Sequence, residues 1–313
     1  MSKITTMVKV LRDNPLNGIW RLFFLKAQRY GWLNFLNDKT YLKLQYKYKF
    51  RKKLNIKAPS TYNEKLQWLK LYDRKPEYHK MVDKYEVKKY VAERIGKQYV
   101  IPTLGIWDDA RDIDRDKLPS QFVLKTTGGS GNQNVFICRD KSKFDWENAI
   151  KVLNKSLKDN VFWYSREWPY KGNKNRIMAE QYMEDTKTQE LRDYKFFCMN
   201  GVCHALFVAT GRSTYKKPFF DYFDSDYQHL DLRQRYQNAP IPPEKPTNFE
   251  LMKKLASELS KGIPQIRVDL YEVNGNVYFG ELTFFSFGIG EFFEPEYWDK
   301  TFGDWIELPK VCN

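Results

Sequence analysis

Between Arg267 and Thr283 the chain reads Arg-Val-Asp-Leu-Tyr-Glu-Val-Asn-Gly-Asn-Val-Tyr-Phe-Gly-Glu-Leu-Thr. Two alternating runs flank an Asn-Gly pair, which is a strong short-range signal for a β-hairpin. Alternation sends every second side chain to one face. Arg267 and Asp269 therefore share a face on the first strand, and Glu281 and Thr283 share one on the second. Two carboxylates, a hydroxyl and a guanidinium gathered on a sheet are costly unless they bind something. Oxygen donors of this kind suit Mg²⁺ held against phosphates. A surface hairpin with solvated charges is the alternative at this point.

A second feature lies upstream. Phe122-Val-Leu-Lys-Thr-Thr-Gly-Gly-Ser-Gly-Asn132 puts Lys125 near the end of a strand, just before a flexible loop. Gly128, Gly129 and Gly131 leave backbone N–H groups free to approach phosphate oxygens, and Lys125 adds a point charge. No Gly-Lys-Ser/Thr follows, so this is not a Walker A loop. The spacing of a dinucleotide-binding fingerprint is also missing, because the loop returns into the strand Val135–Cys138 instead of opening a helix.

The rest of the chain reads as an α+β protein. Helices are expected over 16–53 with a break near Gly31, then over 62–72, 77–95, 143–158 and 247–261. Strands are expected at Tyr99–Trp107, Phe122–Lys125, Val135–Cys138 and Ile177–Tyr182. A second Asn-Gly hairpin joins Asp193–Met199 to Val202–Val208. Residues 159–175 read as irregular, and the polar, Pro-containing stretch 213–245 as a substrate loop. Four units follow from this: 1–57, 58–120, 121–182 and 183–313.

Charge separates the first unit from the rest. The net charge is +14, and residues 1–57 carry 14 Lys/Arg against 2 Asp/Glu, leaving only +2 for the remainder. Aromatics interleave with these basic residues, including Trp20, Trp32, Tyr41, Tyr46 and Phe50. Such a segment suits an anionic membrane surface, a polyanionic glycan or a helical cap that docks its aromatics on the body. Nucleic acid comes last, because no recognisable motif accompanies the charge. No apolar run approaches the roughly 20 residues needed to span a bilayer, and no secretory leader pattern opens the chain. The four cysteines lack zinc-site spacing. These readings predict a cytoplasmic protein, with the inner face of the plasma membrane as a candidate site of peripheral attachment.

The order of the pieces is informative. A lysine-bearing strand and glycine loop, a strand ending Ala-Glu180-Gln-Tyr182, the Asp193-Tyr-Lys195 strand and then the Arg267–Thr283 hairpin follow the element order of ATP-grasp enzymes. Longer stretches narrow this: Thr61–Tyr72, Asp83–Val91, Arg166-Glu-Trp-Pro-Tyr170, Asp193–Phe197 and Arg267–Tyr271. On these the chain resembles the TupA-type ATP-grasp family of teichuronopeptide and capsular polysaccharide biosynthesis, from about Lys52 to Gly303. The resemblance implies an ATP-grasp fold, ATP and Mg²⁺ as cofactors, and a role for each matching residue. Lys88 and Lys125 would hold nucleotide phosphates, and the loop Gly128, Gly129, Ser130 and Gly131 would cover them. Glu180 and Tyr182 would lie on the linker whose backbone reads adenine. Asp193 would face the ribose, and Lys195 the γ-phosphate. Asp269, Glu281 and Thr283 would hold the metal, and Arg267 would stabilise the transferring phosphoryl group. Arg267, Lys125 and Lys195 would thus be the catalytic set. The family pattern departs at Thr283, where Asn is usual and a hydroxyl is the poorer ligand.

The resemblance further implies a carboxylate–amine ligase that works through an acyl-phosphate. Its partners would be a uronic-acid glycan or sugar nucleotide and an amine or amino acid; extension of a glutamyl chain is the variant. Two readings of other classes stand beside it. A polysaccharide glycosyltransferase would use Asp224-Ser-Asp226 as its metal motif, and a non-catalytic glycan- or membrane-binding protein would work through residues 1–57. Arg166 and Arg212 are candidates for substrate contact.

Overall fold

The computed structural model describes residues 24, 26–28, 30–129, 134–187, 190–211 and 217–310. Ser130, Gly131, Arg212 and Trp20 lie outside these residues.

Two antiparallel sheets carry the fold. The smaller one contains β1 (Thr103–Trp107), β2 (Phe122–Thr126), β3 (Val135–Cys138) and β4 (Ile177–Gln181), in the order β1-β4-β2-β3. Its strands alternate as the sequence does. Phe122, Leu124, Ile177 and Ala179 share a core with Ala149 and Leu153, which lie on the helix Trp146–Ser156. The opposite face receives Val123, Lys125, Met178 and Glu180, because Val123 pairs with Glu180 and Lys125 with Met178.

The larger sheet is built from β5 (Asp193–Met199), β6 (Val202–Thr210), β7 (Phe219–Asp224), β8 (Ile266–Val273) and β9 (Asn276–Thr283), in the order β7-β6-β5-β8-β9. The helix Phe249–Ser260 buries Met252, Leu255, Ala256 and Leu259, in one core with Phe196, Leu206, Val268 and Leu270 of the sheet. Strand β8 is buried on both faces over Ile266–Leu270. Strand β7 falls inside the stretch read as loop. Its six residues are mostly apolar, but the polar sequence on either side masked them.

Two further helices have sequence signals that the structure explains. Helix α1 spans Asp38–Phe50, with Asn37 as its cap. It sends Leu42, Tyr46 and Phe50 into the main core, and Lys49 pairs with Glu291 at 2.6 Å. This part of the basic N-terminal unit is thus packed on the body. Arg166 joins in: it is 1% exposed and lies over the Tyr41 ring at 4.3 Å, so it clasps α1 to the body. Helix α2, Tyr62–Tyr72, opens with a capping box of Thr61 and Glu64. Its Asn63, Gln67 and Lys70 are buried on one face at i, i+4 and i+7. They donate to the carbonyls of Glu291, Ile289 and Gly288 at 2.9, 2.9 and 2.8 Å. The helix therefore fastens the chain that leaves β9. Gly290 has φ +109°, and a Cβ there would lie 2.1 Å from Asn63 Oδ1, so the close approach requires glycine.

The helix expected over 77–95 is two helices, Tyr78–Val82 and Val87–Arg94. The break has a local cause. Asp83 Oδ1 accepts from the backbone N–H groups of Tyr85 and Glu86, each at 2.9 Å. It offers the chain a cap where a continuous helix would need i→i−4 bonds. Lys84 N–H is thereby turned to Thr127 O at 2.9 Å, next to the glycine loop.

Candidate active site

The period-two pattern of the hairpin brings its polar residues directly opposite one another. Asp269 pairs with Glu281 and Arg267 with Thr283 across β8 and β9, and Lys195 pairs with Asp269 across β5 and β8. The register shifts between Asp269 and Leu270, so Gly280 is the extra residue of a bulge. A Cβ at Gly280 would come to 3.0 Å from Asp269 O.

One charged network results. Arg267 donates to both Asp269 oxygens, from Nε at 2.6 Å and Nη2 at 2.7 Å. The same Nη2 reaches Glu281 Oε1 at 3.1 Å and Thr283 Oγ1 at 3.0 Å. Lys195 donates to Asp269 and lies 3.3 Å from Asp193. Asp193, Lys195, Arg267 and Asp269 are all buried, while the Glu281 side chain is 41% exposed. Burial pushes the Asp269 carboxyl above its ordinary value, against the pull of Arg267 and Lys195. At the half-exposed Glu281 the charges of Lys195, Arg267 and Lys84 hold the carboxyl well below the usual carboxylate range. Burial would lower the Arg267 pKa, but Asp269, Glu281 and Asp193 raise it further.

A second cluster lies on the polar face of the smaller sheet. Glu180 is 5% exposed. One oxygen lies 2.7 Å from Lys88 Nζ, and the other pairs with Lys125. Lys88 also donates to Ile101 O at 2.8 Å and Thr103 Oγ1 at 2.7 Å, which uses all three of its N–H groups. Burial would push Glu180 up, yet Lys125 and Lys88 draw it below its ordinary value. Burial also lowers Lys88.

Lys84, which no sequence motif marks, lies between the two clusters. Its ammonium donates to Gly129 O in the glycine loop. Burial lowers its pKa; Glu281 of the larger sheet opposes the shift, and Lys125 and Glu180 of the smaller sheet also act on it. The signal that could have found it is Asp83, a helix-breaking cap one residue earlier. A small cavity beside it is lined by Met81, Val82, Lys84, Tyr170, Gly280 and Glu281.

Gly128 and Gly129 follow the strand end, and Gly129 O accepts from Lys84. Gly128 backs onto Asn175, where a Cβ would lie 2.0 Å from Oδ1. Tyr182 stands apart: its hydroxyl accepts from Arg139 Nε at 2.9 Å, just past β4. The other motifs have local uses. Asp224 Oδ1 accepts from the N–H groups of Asp226 and Gln228 at 2.9 Å, so the Asp-Ser-Asp triplet caps a turn at the end of β7. His79 bonds Pro169 O at 2.8 Å and His204 stacks on Trp305.

The profile of the TupA-like ATPgrasp family matches residues 64–307, which include both clusters. The chain belongs to the TupA-like ATP-grasp family. Its α+β architecture of two antiparallel sheets is the ATP-grasp fold. Similar solved structures include the D-cycloserine synthetase DcsG, at 16% identity and TM-score 0.42, covering 74% of this chain and 70% of that one. The D-alanine–D-alanine ligase of Bacillus anthracis is 16% identical, with TM-score 0.41 and coverages of 74% and 62%. The ATP-grasp ligase PsnB, solved with a minimal precursor, is 11% identical, with TM-score 0.39 and coverages of 67% and 54%. The chain spans about two fifths to two thirds of the length of the first solved structures it matches. No curated protein matches the sequence.

Proposed function

We propose that this protein is an ATP- and Mg²⁺-dependent carboxylate–amine ligase. The observation that carries this reading is Lys84, which donates to Gly129 O in the glycine loop after the Lys125 strand and lines one cavity with Glu281 of the larger sheet, between the cluster around Glu180 and the network around Asp269. A set of buried and half-buried lysines and an arginine, compensated by carboxylates, is the arrangement that a polyphosphate and its metal would occupy.

The donor set fits Mg²⁺. Asp269 and Glu281 oppose each other across the hairpin, and Mg²⁺ is commonly held by one or two carboxylates plus substrate phosphates and water. Among the described residues no group of three or more His, Cys, Asp or Glu converges as an all-protein metal site. The Thr283 hydroxyl is committed to Arg267 at 3.0 Å. When bound, the ion would neutralise charge on the transferring phosphoryl group.

The chain's own residues then have assignable work. Lys125 and Lys84 hold and shield the phosphates, Lys88 joins them where a phosphate oxygen replaces Glu180 on its ammonium, and Asp193 faces the ribose. Arg267 and Lys195 stabilise negative charge as a substrate carboxylate oxygen attacks the γ-phosphorus and ADP leaves. The amine then displaces phosphate from the acyl group, forming the amide. The barrier is lowered by positioning and electrostatics, and no side-chain nucleophile is required. Resemblance to polysaccharide-cluster proteins supports a uronic-acid carboxyl as acceptor and an amino acid as amine, with glutamyl-chain extension as the variant. The basic residues of 1–57 support peripheral attachment to an anionic membrane. No helix of the described residues is long and apolar enough to cross one.

The test is ADP release and product mass from Mg-ATP, uronic acids and amino acids. Asp269→Asn with Glu281→Gln keeps the shape of both side chains and should abolish amide formation. Undiminished product from that variant refutes the reading.

A further inference from the structure

The site face of the larger sheet does not end at Arg267. Lys195 pairs with Phe207, and Phe207 with Tyr222, so both aromatics point to the same side as the charged network. The Arg267 guanidinium lies over the Phe207 ring at 5.7 Å. Phe207 stacks on Phe287 at 6.4 Å and packs on Phe220 at 4.6 Å; Phe220 meets Tyr236 edge-on at 4.8 Å. At the far end of this shelf sits Arg235, 5.8 Å from the centre of Phe287 and 5.6 Å from that of Tyr236. Two guanidinium groups thus bracket one aromatic shelf. Arg267 is buried and committed to carboxylates. Arg235 is exposed, and among the described residues it has no carboxylate partner.

Its placement is built, not incidental. Arg235 has φ +57°, and its neighbour Phe287 has φ +60°, both in the left-handed region that bulky residues avoid. Gln234 O accepts from Tyr236 N–H at 2.5 Å across Arg235, a three-residue turn with a positive-φ centre, which is a rare and strained form. The turn is pinned on both sides. Gln234 accepts from the Tyr222 hydroxyl at 3.0 Å, and Arg233 and Glu294 exchange backbone bonds at 2.8 and 3.0 Å. Strain kept by such fixings gathers at ligand clamps.

We propose that Arg235, on the Phe287–Tyr236 shelf, binds an oxyanion on the acceptor substrate distant from the carboxylate being activated. This deepens the ligase reading and rests on it. Arg235 would determine specificity by demanding a second anionic group, and Arg267 would serve the reacting end. The oxyanion could be a second uronate carboxylate or the phosphate of a sugar nucleotide or lipid-linked unit. A planar guanidinium accepts either with paired hydrogen bonds.

The experiment is equilibrium binding to the full chain, with and without saturating Mg-ADP, of three probes: D-glucuronate, digalacturonate and UDP-glucuronate. The first has one anionic group, the second adds a carboxylate and the third a diphosphate. Wild type should bind at least one two-anion probe more tightly than D-glucuronate. Arg235→Gln should weaken that probe roughly 10- to 100-fold, the worth of a charge-assisted pair. It should leave D-glucuronate and Mg-ADP binding unchanged, and Arg235→Lys should recover part of the loss. Whichever probe loses affinity identifies the source of the oxyanion. The proposal is overturned if neither two-anion probe outbinds D-glucuronate, or if Arg235→Gln changes nothing. Failure of Mg-ADP to bind wild type would instead count against the ligase reading, and the nucleotide-free arm still decides the role of Arg235.

Discussion

Glu180 is the residue whose removal should be most revealing. Its two oxygens hold Lys88 and Lys125, whose side chains are only 13% and 17% exposed. Glu180→Gln leaves two buried ammonium groups facing each other with no counter-charge. Breaking a buried pair by removing one partner costs about 3–5 kcal/mol. At about 2 °C per kcal/mol, the lower end for large domains, the melting midpoint should fall by roughly 6–10 °C. The sign with pH follows from the depressed Glu180 carboxyl. Its contribution is present above the ordinary value of 4.5 and is lost as pH falls through the lower folded value. The gap between wild type and variant should therefore close in acid. A second readout tests function. If Glu180 is the counter-ion that phosphates would replace, Mg²⁺ with a non-hydrolysable ATP analogue should raise the midpoint more in the variant than in wild type. Thermal melts over pH 3–8, with and without the analogue, supply both. A variant that melts with wild type, or gains less from the analogue, refutes the reasoning.

Lys84→Met removes a half-buried ammonium that donates to the glycine loop and shares a cavity with Glu281; ATP-dependent turnover should drop roughly 100- to 1,000-fold, while the melting midpoint stays level or rises. Thr283→Asn supplies an amide oxygen in place of a hydroxyl, so half-maximal turnover should need less Mg²⁺; a higher requirement would place Thr283 outside the metal's reach. Lys70 is fully buried, and burial lowers its pKa to about 8. The unfolded chain then binds more protons between about 8 and the ordinary 10.5, so stability should rise with pH across that window. Lys70→Met should flatten the rise in urea midpoints. Deleting residues 1–57 removes Leu42, Tyr46 and Phe50 from the core and should unfold the protein in urea at lower concentration, whereas deleting residues 1–23 spares those three.

Much of the site was legible because strands have a period of two. The Asn274-Gly275 turn fixed the hairpin, and alternation alone put Arg267, Asp269, Glu281 and Thr283 on one side. The same rule separated Lys125 and Glu180 from Phe122 and Leu124. What stayed hidden depends on contacts between distant segments. Lys84 carries no motif of its own, and only the Asp83 cap, which breaks the helix, turns its backbone N–H toward Thr127. The burial of the polar stripe Asn63, Gln67 and Lys70 has no local signal, because the carbonyls it serves lie more than 200 residues away. Strand β7 was hidden by its polar flanks, and with it the shelf that ends at Arg235.

One Mg-ATP site spanning the Lys88–Glu180–Lys125 cluster and the Arg267–Asp269–Glu281 network would show itself in nucleotide binding. Isothermal titration with a non-hydrolysable ATP analogue, run with Mg²⁺ and with EDTA, and against UDP-glucose, tests it most directly. Binding of the analogue should tighten with Mg²⁺, with a stabilisation worth about 2.7 kcal/mol at a hundredfold excess over Kd, and UDP-glucose should not displace it. Binding of UDP-glucose without binding of the ATP analogue would contradict such a site.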